Sequence, residues 1–157
     1  MRESIRAGIA LLLPLTVGLV SGLLTSEGVV VWYPTLVKPS FTPPDWLFAP
    51  VWTVLYLAMG VAAYGAWRLG IGVPGVKWAL GVFLVQLLLN GLWSWLFFGL
   101  HSPGAALIDI ALLWLFVGWT TYLFARLVPW TTILLLPYFA WVTFAAALNF
   151  EIWRLNG

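Results

Sequence analysis

The chain reads as an all-α integral membrane protein, a five-transmembrane-helix bundle capped by a long Pro/Trp-rich first loop. Composition predicts this first. Of 157 residues, 63% are hydrophobic and 8% charged, where a soluble domain carries about 25% charged residues. The mean hydropathy is +1.03. Second, five apolar stretches follow one another, each about 20 residues or more, the length that crosses a hydrocarbon core of about 30 Å. Third, irregularity is concentrated in one place. Five of the ten prolines lie between residues 34 and 50, and three of the twelve tryptophans between 32 and 52.

The spans are expected at about 5–24, 45–68, 77–100, 103–126 and 130–155, in a single domain over 1–157. The first follows Met1-Arg2-Glu3-Ser4-Ile5-Arg6, which resembles a signal peptide, but the apolar run continues to about Leu24. That length predicts an uncleaved helix. The loop at 27–43 is expected to form a lid. Pro34, Pro39, Pro43 and Pro44 each fix φ and remove a donor, which forbids a regular helix before Pro44 or Asp45. Pro44 then stands at an N1-like position with Asp45 in the first turn of the second span. The remaining connections, 69–76, 101–102 and 127–129, are short and carry Gly or Pro, so successive helices are expected to run antiparallel. Gly18 and Gly22 form a GxxxG, and Ala58, Ala62 and Ala66 recur every fourth residue. Such stripes suit either a dimer face or packing inside one bundle.

Charge orients the chain and excludes partners. Arg2, Arg6, Arg68, Lys77 and Arg126 fall on one side, Lys38 and Arg154 on the other. In a bacterial inner membrane this puts the N-terminus in the cytoplasm and the first loop outside. No Lys/Arg cluster exists to neutralise a phosphate backbone, so nucleic acid is not an expected partner. The absence of cysteine excludes disulfides, thiolate metal sites and a cysteine nucleophile.

Polar groups inside the spans are costly, so their spacing is informative. Gln86, Asn90 and Ser94 form an i, i+4, i+8 ladder on the third span, beside Trp93 and Phe97. Trp141, Ala145, Leu148 and Asn149 share one face of the fifth, and Trp52 and Tyr56 one face of the second. Antiparallel topology brings Trp52, Trp93, Ser94, Ala145 and Asn149 into the half of the membrane under the loop. These residues suit helix-to-helix glue or an aromatic cavity for a large planar amphipathic ligand. Their convergence under one loop favours the cavity. Trp32, Trp67, Trp78, Trp130 and Trp153 lie near span ends, as interfacial tryptophans do.

Asp109 is an intramembrane carboxylate, expected to face the bundle with Lys38 or Arg154 within reach, in a structural role ahead of a proton relay. His101 is the only histidine and lies at a span end, expected as an interfacial residue ahead of a haem-iron or metal ligand. No Ser-His-Asp set, carboxylate pair or phosphate-binding glycine loop is present, so no standard enzyme is indicated and no metal site is expected.

Three motifs in order carry a resemblance. They are Trp32-Tyr33-x-x-Leu36-x-Lys38-Pro39-Ser40-x-x-Pro43-Pro44-x-Trp46-x-Phe48 with Trp52-x-x-Leu55-Tyr56-x-x-Met59-Gly60; Gln86-x-x-x-Asn90-x-x-Trp93-x-x-x-Phe97-Phe98; and Pro137-Tyr138-x-x-Trp141-x-x-Phe144-Ala145-x-x-Leu148-Asn149-x-x-Ile152-Trp153-x-Leu155-Asn156. The chain resembles the translocator protein family (TspO/MBR), also called tryptophan-rich sensory proteins or peripheral benzodiazepine receptors. The resemblance implies a five-helix membrane bundle, often a homodimer, whose first loop covers a cavity for porphyrins such as protoporphyrin IX or haem and for synthetic isoquinoline and benzodiazepine ligands. Carried over by position, the ligand-binding residues are Tyr33, Trp52, Asn90, Trp93, Ser94, Trp141 and Ala145. It further implies light- and oxygen-dependent porphyrin degradation involving Trp52 and Trp141, the ligand itself supplying the photochemistry and no other cofactor being required. Receptor, enzyme and transporter of small hydrophobic ligands all remain open. One departure stands out. The family's sterol-recognition segment wants an aromatic hydroxyl where this chain has Phe150, followed by Glu151, which puts sterol binding there in doubt.

Overall fold

The computed structural model describes residues 2–157. Five α-helices carry the chain: α1 (Arg2–Glu27), α2 (Phe48–Trp67), α3 (Val76–Ser94), α4 (Pro103–Leu127) and α5 (Thr131–Asn156), with no strand among the described residues. All five are long and apolar enough to cross a membrane, and a helix pairs most of its backbone polar groups within itself, as hydrocarbon requires.

The first span is longer than its composition suggested. After Glu27 the helical path continues through a π turn at Gly28–Trp32 and a 3-10 turn at Tyr33–Thr35, giving an unbroken apolar segment of 33 residues from Glu3 to Thr35. Pro34 does not stop it. It occupies the start of the 3-10 turn, where a missing N–H costs nothing and a φ near −65° is already helical. The irregular loop is therefore confined to about residues 36–44, shorter than the expected 27–43.

The other spans lie close to expectation, at Asp45–Trp67, Val76–Gly99, Pro103–Leu127 and Thr131–Asn156. Asp45–Leu47 form a 3-10 turn after Pro44 that leads into α2. Gly70 (φ 98°) and Gly75 (φ 89°) turn the chain between α2 and α3, in a left-handed region that costs glycine little. Beyond α3 a second π turn, Trp95–Gly99, is followed by His101 at φ 52°, and Pro103 opens α4 at its first position.

One buried cluster runs through the bundle. It includes Met59, Ala62, Ala66, Phe83, Leu113, Val117, Phe124 and Tyr138. A smaller one, of Tyr33, Phe97, Ala106, Leu148 and Ile152, lies at the loop end. Lipid tails are as apolar as these side chains, so close van der Waals packing does the holding here. Small residues permit it. A Cβ on Gly60 would stand 2.8 Å from the Ala10 carbonyl oxygen and 2.9 Å from the Leu11 Cα, and one on Gly18 would overlap the Tyr56 ring. Gly18 of the GxxxG is thus engaged within the chain, and Ala62 and Ala66 are fully buried. Outward, α1 presents Leu12, Leu19, Leu23 and Leu24, all exposed, as a lipid-facing surface requires.

Candidate functional site

At the loop end α1, α2, α3 and α5 separate around a cavity of about 690 Å³. Both π turns shape it. Gly28, buried, brings the end of the first span against the Phe98 backbone so closely that a Cβ there would overlap the Phe98 carbonyl oxygen. The wide turns roll Tyr33 inward, its ring 5.5 Å from Phe98 and 6.3 Å from Phe97. Such turns are rare and frequent at functional sites.

Six of the seven expected residues line this cavity: Tyr33, Trp52, Trp93, Ser94, Trp141 and Ala145. Asn90 does not. It is buried one layer beneath, in a chain of hydrogen bonds that begins at the cavity wall. The Tyr56 hydroxyl donates to Asn90 Oδ1, and Asn90 Nδ2 donates to the Tyr138 hydroxyl at 3.2 Å. Tyr138 then donates to Gln86 Oε1 at 2.7 Å, while Gln86 Nε2 approaches Met59 Sδ at 3.6 Å. The spacing put Gln86, Asn90 and Ser94 on one face of α3; Ser94 lines the cavity, and Asn90 lies a layer deeper.

The aromatic walls are fixed by similar bonds. Trp93 Nε1 donates to Asn149 Oδ1 at 2.9 Å, and Asn149 Nδ2 donates to the Pro103 carbonyl at 2.8 Å. The Trp93 ring is thereby held against Phe97, with centroids 5.4 Å apart. Trp52 tilts over Tyr56 at 5.6 Å and meets Tyr138 edge-on at 6.3 Å. Phe48 meets Trp141 edge-on at 6.0 Å. Thr25, Ser26 and Thr53, also on the walls, donate to carbonyls of their own helices. One donor differs. Trp141 Nε1 is buried and has no hydrogen-bond partner, a condition that costs free energy. Asp45, at the mouth, is the one charged side chain among the described lining residues.

The loop is pinned above. Asn156 Oδ1 accepts from the Val37 N–H and Asn156 Nδ2 donates to the Val37 carbonyl, both at 2.9 Å. The Lys38 ammonium lies 4.0 Å from the Tyr33 ring centroid, a cation–π geometry. Thr42 bonds back to Pro39 through both its N–H and its hydroxyl, and Phe41 meets Phe144 edge-on at 6.2 Å. Neither Asn156 nor Tyr138 was picked out by spacing. Asn156 does stand seven residues after Asn149 on one face of α5, and both residues belong to the third motif.

Asp109 and His101 lie apart from the cavity. Asp109 is buried and its Oδ2 has no partner. Neither expected cation reaches it, since Lys38 covers Tyr33 and Arg154 pairs with Glu151 at 2.6 Å. His101 stacks on Trp32 at 4.5 Å. Among the described residues no three His, Cys, Asp or Glu gather where they could hold a metal ion.

Residues 10–154 match the model of the TspO/MBR family. The chain belongs to that family. It is 44% identical over 142 residues to the "Tryptophan-rich protein TspO" of Chlorobaculum tepidum, covering 90% of each chain. It is 43% identical over 149 residues to a protein of the same name from Archaeoglobus fulgidus, covering 94% of each. The "Translocator protein" of Homo sapiens is 40% identical over 126 residues, 80% of this chain and 75% of that one. For this TspO/MBR-family member the matched region contains every residue of the cavity wall and all of the loop, and it stops short of Asn156.

Proposed function

We propose that this protein is a membrane receptor or sensor that binds tetrapyrroles in the cavity under the first loop and thereby modulates porphyrin efflux or turnover. The observation that carries the reading is the aromatic cavity wall of Tyr33, Trp52, Trp93 and Trp141, in which Trp141 Nε1 is buried without a partner. A planar macrocycle offers large faces for Trp52, Trp93 and Trp141 and peripheral acceptors for an indole N–H. A volume of about 690 Å³ lies within the range of roughly 300–1,000 Å³ common to small-molecule sites. The names "sensory protein" and "translocator" borne by relatives agree with a ligand-handling role. On this reading the ligand contacts are Tyr33, Trp52, Trp93, Ser94, Trp141 and Ala145, while Asn90 acts through Tyr56.

A second reading has its own observation. Trp52 and Trp141 both face the cavity, and an oxidisable indole beside a photosensitising macrocycle is positioned to react under light and dioxygen. The two readings separate cleanly. Protein in nanodiscs is mixed with protoporphyrin IX, and the porphyrin absorbance is followed in the dark and under illumination. A receptor holds the spectrum constant in both. Loss that needs light, and that Trp52→Phe abolishes while binding persists, makes it an enzyme. The absence of any bound spectrum rejects both.

A further inference from the structure

The structure assigns the way into this cavity to the seam between α1 and α2, so that ligands arrive sideways from the lipid phase and not over the loop. The inference takes from the proposed function only that the cavity is a ligand's destination.

Residues that line the cavity and are also exposed mark its mouth. On α1 and its continuation these are Leu19, Gly22, Ser26, Val29 and Val30, among which Gly22, Ser26 and Val30 are spaced i, i+4, i+8; on the α2 side they are Asp45, Ala49 and Thr53, with the same spacing. Each spaced set is one helix face, and the two faces form opposite jambs of one opening. Below it the seam is shut, by Gly18 against Tyr56 and by Gly60 against Ala10 and Leu11. Above Gly18 the helices part, and Gly22, Ser26, Ala49 and Thr53 are too small to fill the space. A Cβ on Gly22 would meet nothing within 4 Å. Among the described residues no side-chain hydrogen bond crosses this part of the seam, since Ser26 and Thr53 are both turned onto their own helices.

The surface flanking the opening identifies what it faces. Leu23, Val30 and Val54 are exposed at 68%, 72% and 63%, beside a mouth that lies within two membrane-spanning segments. The mouth thus opens on hydrocarbon. The loop offers the opposite case. It is tied by two Asn156 bonds, a cation–π contact and an aromatic pair, with prolines that restrict its backbone. The ligand class follows. It is an amphiphile that partitions into the bilayer, passes apolar end first, and leaves its polar end near Asp45.

The chain has no cysteine, so Ser94→Cys supplies a single thiol on the cavity wall. The protein is placed in nanodiscs, where both aqueous faces are open to reagent, and the thiol is modified by a long-chain N-alkylmaleimide that partitions into lipid. Narrowing the seam with Ala49→Trp is expected to slow modification at least tenfold. Thr53→Trp, also exposed, is a second variant on the same jamb that keeps the test available if the first fails to fold. Loosening the loop with Asn156→Ala is expected to leave the rate within twofold. If both seam variants modify at the parent rate, or if only the loop variant changes it, the route is not the seam and the inference is overturned. No porphyrin enters the assay, so failure of tetrapyrrole binding in a separate titration leaves this result standing.

Discussion

Asn156 brackets the backbone of Val37, accepting from its N–H and donating to its carbonyl at 2.9 Å each. The residues are 119 positions apart, and this one side chain joins the last turn of the last helix to the start of the first loop. Because it matches the Val37 backbone in both directions, no smaller side chain can replace it.

Asn156→Ala is expected to release the loop without unfolding the bundle. Two hydrogen bonds near the surface contribute about 1–2 kcal/mol in total. Amide exchange at residues 36–41 should accelerate by about tenfold or more, since each 1.4 kcal/mol is a factor of ten, while exchange in α2 to α5 stays unchanged. Uniform acceleration across the helices would show that Asn156 supports the bundle as a whole.

The polar chain beneath the cavity floor leads to a second expectation. Asn90→Leu leaves the Tyr56 hydroxyl without a partner and removes one donor to Tyr138, which keeps its bond to Gln86, at a cost of about 1–3 kcal/mol for the buried hydroxyl left unpaired. The thermal midpoint in detergent should fall clearly. Ligand affinity should fall no further than in Tyr56→Phe, because Asn90 reaches the cavity only through Tyr56. A much larger loss of affinity than Tyr56→Phe produces would return Asn90 to direct ligand contact.

Two glycines should respond in opposite ways. At Gly28 a methyl would overlap the Phe98 carbonyl, and backbone cannot yield as a side chain can. Gly28→Ala is expected to cost about 1–3 kcal/mol, as overpacking does, and to disturb Tyr33. At Gly22 a methyl meets open space, so Gly22→Ala should be neutral or stabilise by up to about 1 kcal/mol through lower backbone entropy of the unfolded chain. Thermal midpoints of the two variants decide it.

The larger architecture was legible in the sequence because bilayer thickness dictates span length, and short Gly/Pro connections dictate antiparallel neighbours. The loop was read too long. Pro34 was weighed as a helix breaker, although near the start of a 3-10 turn it is compatible with helix, and the helical path continues through it with Gly28 packed on Phe98. Spacing and topology brought Trp52, Trp93, Ser94, Ala145 and Asn149 under the loop because helical periodicity reports a face, and all five line the cavity; Tyr33, and Trp141 as a cavity residue, came from the resemblance. Asn90 lies beneath the cavity lining, bonded to Tyr56 and Tyr138, and periodicity does not report which partner at which depth claims an amide. The α1 wall was read as an interface stripe, since a row of small residues looks the same whether it admits a helix or a cavity.

Asp45 is the one charge at the cavity mouth, and it bears on ligand charge. It should oppose the carboxylates of protoporphyrin IX. Asp45→Asn is expected to tighten binding of this porphyrin about two- to fivefold at low salt, with the gain shrinking as ionic strength rises. A porphyrin ester lacking carboxylates should show no gain. Weaker binding of the free acid to Asp45→Asn would mean that the carboxylate accepts a hydrogen bond from the ligand.

The most direct measurement is a titration of the nanodisc-embedded protein with protoporphyrin IX in the dark, read by tryptophan fluorescence and repeated with Trp141→Phe. That substitution removes the unpartnered N–H but keeps an aromatic ring. The expected result is saturable quenching at one porphyrin per chain, with affinity at least fivefold weaker in Trp141→Phe. Quenching that rises linearly without saturation, or identical curves for the two proteins, would contradict a tetrapyrrole site built on the Trp141 indole.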